Sequence, residues 1–210
     1  EGLRRRNKIG LVASAVSDYS HIEELVTELL GMGAAISVSS LRVAPLSPIL
    51  VRALAEGGSR SITLAPEAGS ERLRRAIHKG VTHDDIMRAT ALAARERFQS
   101  LKLYFMFGLP SESDEDIEDL IRLVGEIKAV FGRRVVISLT PFVPKAHTPF
   151  QRVAMAPKAV LQGRLSRISE GLRQLHVEMR AEPIEAARVQ GVLARGDRRV
   201  GDALLAMPRL

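Results

Sequence analysis

Apolar positions along this chain follow two alternating periods. Short β-type runs, bounded by polar residues, glycine or proline, are separated by segments whose apolar residues step by three and four. Ile9 to Ala13 reads as a buried strand that ends in Ser17-Asp18-Tyr19-Ser20. Ile22, Leu25, Val26, Leu29 and Leu30 then share one helix face, closed by Gly31 and Gly33. Ala35 to Ser39 is a second strand, and Ser47-Pro48 supplies a cap and a first-turn proline for the helix that carries Leu50 and Leu54. The third strand, Ser61 to Ala65, stops at Pro66. Ser70 caps a short helix after it, and Thr82 with Asp85 forms a capping box for a longer one reaching about Arg97. Leu101 to Phe107 is the fourth strand. Its helix carries Ile117, Leu120, Ile121, Val124, Ile127 and Phe131 on one side, and Val135 to Leu139 is the fifth strand.

Five strands joined pairwise by helices predict an α/β fold with a parallel sheet, because parallel neighbours need a crossover. Such units build either an open doubly wound sheet or a barrel, and both gather ligands at the carboxyl ends of the strands. Residues 151–210 differ in pattern. Leu161, Leu165, Ile168, Leu172 and Leu175 form a helical stripe suited to docking on a core, followed by an extended piece (Val177 to Glu182) and one or two helices after Pro183. The division expected is therefore 1–150 for the β/α part and 151–210 for a small, mainly helical extension.

At each strand end the apolar run gives way to small or polar residues: Ser14 to Asp18, Ser39 to Arg42, Pro66 to Ser70, Phe107 to Pro110, and Thr140 to Phe142. In the fourth of these, Ser113 can cap the next helix with Asp116 as its box partner, and Asp114 and Glu115 add negative charge to that first turn. A helix start crowded with carboxylates repels phosphate, and no glycine-rich Gly-Lys-Ser/Thr loop occurs. The ledge at Gly108-Leu109-Pro110 suits a neutral, flat or cationic ligand, or is a plain strand–helix connection.

Composition adds limits. The 46% hydrophobic and 26% charged content is that of a globular chain, with no apolar run of the ~20 residues that span a bilayer. The formal charge of +7 admits a nucleic-acid partner, but the 31 basic residues are dispersed, and two Tyr and no Trp offer little stacking. No cysteine is present, so this chain supplies no disulfide and no thiolate ligand for zinc or iron–sulfur. The start at Glu1 followed by Arg4-Arg5-Arg6 reads as a cut or processed end, and the cytoplasm is the compartment expected.

Four ordered stretches, "SSLRVAPLSPILVRALAEGG", "SITLAPEAGSERLRRAIHKGVTHDDI", "LYFMFGLPSESDEDIEDLI" and "TPFVPKAHTPF", closely resemble the radical S-adenosylmethionine (radical SAM) superfamily, in particular its branch associated with cobalamin-binding domains. The resemblance covers roughly residues 9 to 150. It implies a partial six-stranded (β/α) barrel, TIM-like, that holds S-adenosylmethionine and a [4Fe–4S] cluster and generates a 5′-deoxyadenosyl radical. By position it implies that Glu67 and Ser70 meet the ribose, and that Gly108, Leu109 and Pro110, with Glu112 trailing, lie on the adenine side. Phe142 and Val143 match the last strand, beside the adenine. Ser40 and Arg42 match positions that meet the methionine carboxylate; Arg42 either does so or pairs with a neighbouring acid.

Two departures accompany the resemblance. The family's three-cysteine loop has no counterpart here, so the cluster is expected in a longer parent protein only and the chain alone is expected to be inactive. The element that receives the methionine amino group is also missing; "ASAVSDY" stands in its place, with Ser14, Ser17 and Asp18 as substitutes. The substrate stays unread, and self-association of an incomplete barrel is expected. The rival readings are a cluster-free ligand-binding (β/α) protein and an RNA-binding or RNA-modifying module. His147 is read as a solvated loop residue or a substrate contact on the rim, and the turn at Arg195, Arg198 and Arg199 as a solvated basic turn or a grip for an anionic substrate group.

Overall fold

A computed structural model describes residues 7–13, 15–38 and 41–207. Among them six strands alternate with helices: β1 (Lys8–Leu11), α1 (Ile22–Gly31), β2 (Ala35–Val38), α2 (Pro48–Glu56), β3 (Ser61–Glu67), α3 (Glu71–Ala76), α4 (His83–Arg95), β4 (Ser100–Phe107), α5 (Asp114–Phe131), β5 (Arg134–Pro141), α6 (Lys158–Gln174), β6 (Glu178–Ala181), α7 (Ile184–Arg195) and α8 (Arg199–Leu205). No helix among the described residues is long and apolar enough to cross a membrane.

All pairings are parallel, in the orders β1-β2 and β3-β4-β5-β6. A single parallel bridge between Leu41 and Leu64, with the Leu41 N–H donating to Thr63 O at 3.2 Å, joins the two sheets into one arc. The fold is thus a partial (β/α) barrel, open between β1 and β6.

Alternation along the strands divides the sheet into two faces. Leu101, Leu103, Phe105 and Phe107 of β4, with Val135, Ile137 and Leu139 of β5, are buried against Ile86, Ala89 and Ala93 of α4 and Ile117, Leu120, Val124 and Ile127 of α5. The opposite, concave face carries Lys102, Tyr104 and Met106 of β4, all half-buried. The α6 stripe docks as its spacing predicts: Leu161, Ile168 and Leu172 are buried and Leu165 and Leu175 partly so.

The extended piece expected over 177–182 is a sixth strand. Its residues Glu178 to Ala181 pair in register with Val136 to Leu139. The stretch EMRA holds two charges and no β-type run, so its own pattern predicts no partner strand. The pairing itself comes from α6, whose docked stripe returns the chain to the edge of β5.

Candidate functional site

The carboxyl ends of β3, β4 and β5 form one rim. β3 reaches it with a register shift between Leu64 and Glu67. Glu67 takes φ of 71°, left-handed backbone that a non-glycine residue seldom adopts. Its carboxylate receives Lys79 Nζ at 3.0 Å, and both side chains stay about one-quarter exposed.

Behind Glu67 the chain is fixed by packing and buried polar contacts. A Cβ on Gly69 would lie 2.3 Å from Leu120 Cα, so α5 presses directly on this loop. Ser70 accepts from the Leu73 N–H at 3.1 Å as the α3 cap and donates to Asp116 Oδ1 at 2.5 Å. Fully buried Arg74 donates to the carbonyls of Val81, Ala68 and Gly69 at 2.7–3.0 Å. Burial pushes its guanidinium pKa down and outweighs the opposing charges of Glu71 and Asp119.

The β4 ledge turns at Gly108, with φ of 76°. Its N–H donates to Glu112 Oε2 at 2.7 Å, and a Cβ there would stand 2.4 Å from Leu161 Cδ2. The space this glycine leaves is therefore filled by α6. Glu112 is buried, with Arg164 Nη1 at 2.8 Å. Burial pushes its carboxyl pKa up and outweighs the Gly108 N–H and Arg164, which pull it down. One residue pair later, Asp116 binds the Ser113 N–H at 2.7 Å and hydroxyl at 3.1 Å and also takes the Arg72 guanidinium. Burial opposes ionisation of Asp116, yet the donors from Ser70, Ser113 and Arg72 hold its carboxyl below the ordinary value.

At the end of β5 the Phe142 N–H donates to Phe107 O at 2.7 Å, and the Phe142 ring meets Phe150 edge-on, centroids 5.6 Å apart. Ala68, Leu73, Leu109 and Phe142 form a small buried cluster, with Ile77, Met106 and Phe150 packed against it. The rim is thus an apolar floor beside the Glu67–Lys79 pair. Pro110 and Val143 flank it half-buried, and Val143 Cγ1 faces Gly191 of α7.

On the other side of the arc, Arg42 Nη1 donates to Asp18 Oδ2 at 2.5 Å, and the Arg42 N–H reaches Ser17 Oγ at 3.4 Å. Arg42 thus pairs with a neighbouring acid, one of its two anticipated roles. Ser14 and Ser40 lie outside the described residues. The Arg195–Arg199 turn does not converge on one point: Arg195 donates to Val153 O at 2.9 Å and Arg199 pairs with Asp197. His147 is an exposed turn residue whose N–H donates to Gln151. Sequence reasoning missed Lys79, Arg74 and Arg164. Each is separated from its partner by 5 to 52 residues and bears no local signature.

Residues 3–124 match the family described as Radical SAM superfamily. This chain belongs to the radical SAM superfamily. It is 40% identical over 191 residues to the uncharacterized protein MJ0966 of Methanocaldococcus jannaschii, covering 91% of this chain and 42% of that protein. The chain therefore spans less than half the length of that relative. Among solved structures, coproporphyrinogen III oxidase (HemN) of Escherichia coli superimposes with a TM-score of 0.56 at 16% identity, over 81% of this chain and 40% of that one. Methylornithine synthase (PylB) gives 0.57 at 15% identity, over 90% and 55%. At such identities these two show the fold alone.

Family membership implies S-adenosylmethionine and a [4Fe–4S] cluster in general. The cluster does not fit this chain: it has no cysteine, and among the described residues no group of three or more His, Asp and Glu is placed to hold a metal ion. At the rim a small apolar cluster stands beside a partly exposed carboxylate that can accept hydrogen bonds from hydroxyl groups.

Proposed function

We propose that this chain is the S-adenosylmethionine-binding part of a radical SAM enzyme whose cluster thiolates come from outside these 210 residues. The observation that carries the reading is the pairing of Glu67, at left-handed φ and held by Lys79, with the apolar floor of Met106, Leu109 and Phe142. In that reading Glu67 accepts hydrogen bonds from the ribose hydroxyls, and Lys79 keeps its carboxylate oriented. Leu109, Phe142 and the backbone of 108–110 and 142–143 sandwich the adenine. Ser70 and Glu112 act behind the surface, since both are buried and already bonded: Ser70 fixes the Glu67 loop and Glu112 fixes the Gly108 turn. Ser40 and Arg42 are assigned to the methionine carboxylate, with Asp18 as the partner Arg42 exchanges. When bound, the cluster and S-adenosylmethionine together supply a radical that abstracts hydrogen. This chain's part is to hold the nucleoside at the rim and to keep water from its apolar side. We extend the proposal to a cytoplasmic enzyme of the cobalamin-associated branch, on the strength of the four ordered motifs.

The test is calorimetric titration of S-adenosylmethionine into the 210-residue chain and into Glu67→Gln. Weak saturable binding is expected for the wild type, reduced about tenfold in the variant, because a charged acceptor becomes neutral. Equal binding by both, with both folded, overturns the assignment. Iron bound stoichiometrically by this chain would overturn the external supply of the cluster ligands.

A further inference from the structure

The interior of a closed eight-stranded barrel is filled by branched apolar side chains. The concave face here is not. The register places Thr63, Lys102, Val136 and Glu178 in one row and Tyr104, Ser138 and Arg180 in the next row toward the rim. Lys8 and Arg134 face the same side. Four cations thus stand against one acid, Glu178, which is already held by both Arg134 and Arg180. Lys102 has no carboxylate partner among the described residues; its Nζ leans over the Tyr104 ring, 4.8 Å from the centroid. Thr63, Lys102, Tyr104 and Ser138 are all half-buried, so they are partly shielded, and no side-chain hydrogen bond joins any of them to another.

We propose that this row is a subsite for an anionic group of the substrate, a carboxylate or a phosphate ester, gripped by Lys102 and Arg180 with Tyr104 and Ser138 as neutral donors. The proposal rests on the reading of the rim as the cofactor end. Lys102 and Arg180 sit two strands and one row apart, roughly 12 Å at the backbone, within reach of one group from either side. The Tyr104 row lies two residues, roughly 7 Å, below the Met106 and Thr140 level of the rim. An elongated substrate anchored by its anion here therefore presents a carbon several bonds away to the rim. An ammonium over an aromatic face, with no counter-ion and two hydroxyls beside it, keeps its full charge available to an incoming anion. A cationic substrate end is repelled by the same row.

The chain carries two tyrosines and no tryptophan, which makes the subsite readable directly. In a Tyr19→Phe background, tyrosine emission reports on Tyr104 alone. Propane-1,2,3-tricarboxylate and glycerol 2-phosphate are titrated separately at constant ionic strength against chloride. A saturable change in emission is expected for at least one of them, and which one identifies the anion. Arg180→Gln leaves the Lys102–Tyr104 reporter in place and should weaken the midpoint about tenfold. Lys102→Met, read by calorimetry because its reporter is altered, should weaken it at least as much. Arg122→Gln, on the outer surface of α5, should leave it unchanged. A response to neither probe, one that follows ionic strength alone, or one that survives both concave-face variants overturns the proposal. Neither probe involves S-adenosylmethionine, so failure here is separable from failure of the Glu67 test.

Discussion

The loops that follow β3 and β4 and those that follow β1 and β2 occupy the same rim but are built in opposite ways. Behind β3 and β4, four polar side chains, Ser70, Arg74, Glu112 and Asp116, are buried and bonded: Ser70 to Asp116, Arg74 to the carbonyls of Ala68, Gly69 and Val81, Asp116 also to Ser113 and Arg72, and Glu112 to Gly108 and Arg164. Behind β1 and β2, the contact between Asp18 and Arg42 is an ion pair with both side chains more than one-third exposed. The first pair of loops is a preassembled shelf that presents backbone, one carboxylate and apolar surface. The second keeps its charge in solvent, where a ligand can exchange for the existing partner at small cost. A dense motif in sequence therefore marks the scaffold of the site at least as much as its contact surface.

The largest effect separating the two regions should come from Gly69→Ala. The new methyl carbon would meet the Leu120 backbone at 2.3 Å, and the loop cannot retreat from α5 without breaking the Arg74 clamp. Destabilisation of about 3 kcal/mol or more is expected in urea unfolding. A loss below about 1 kcal/mol would show that the shelf yields and is not preassembled.

Next in size is Asp116→Asn, which should cost about 2–3 kcal/mol at neutral pH, since four donor groups of three residues lose their charged acceptor in a buried place. The fold holds this carboxyl below its ordinary value, so its contribution is complete above the ordinary carboxylate range. That contribution is lost as pH falls through the depressed, folded-state value. The gap between wild type and Asp116→Asn should thus close in acid. Glu112, pushed up chiefly by burial, is also raised by the Asp116 charge, so losing that charge relieves it slightly and trims the gap at neutral pH. A gap that stays constant with pH would assign the cost to lost packing and not to charge.

These residues also show what the sequence reveals. β4 was legible because SLKLYFMF alternates, with Leu101, Leu103, Phe105 and Phe107 on one face. The same alternation puts Lys102 and Tyr104 on the other face, although attention to the strand ends passes over them. β6 was legible as an extended piece, but its pairing was not, because it lies at the sheet edge with Glu178 and Arg180 on the concave face and its partner depends on where α6 docks. The box of Ser113 and Asp116 was readable at three-residue spacing. The bond from Ser70, 46 residues earlier, was not, because only the folded sheet brings the two loops together. Gly108 signalled a turn, and it has positive φ, but nothing local reveals that Leu161 occupies the space beside it.

The smallest effect is expected on the β1–β2 side. Asp18→Asn removes the carboxylate that Arg42 binds at 2.5 Å, in a pair whose side chains are 45% and 39% exposed. Water screens such a pair and two side chains lose rotamer freedom to form it, so stability should change by less than about 0.5 kcal/mol, and less still in high salt. The informative readout is ligand affinity. If Arg42 serves the methionine carboxylate, freeing it from Asp18 should leave S-adenosylmethionine binding unchanged or tighter, while Arg42→Gln weakens it with no loss of stability. If both substitutions instead cost more than about 1.5 kcal/mol of folding stability, this side of the rim is as rigid as the shelf, and the contrast between the two pairs of loops disappears.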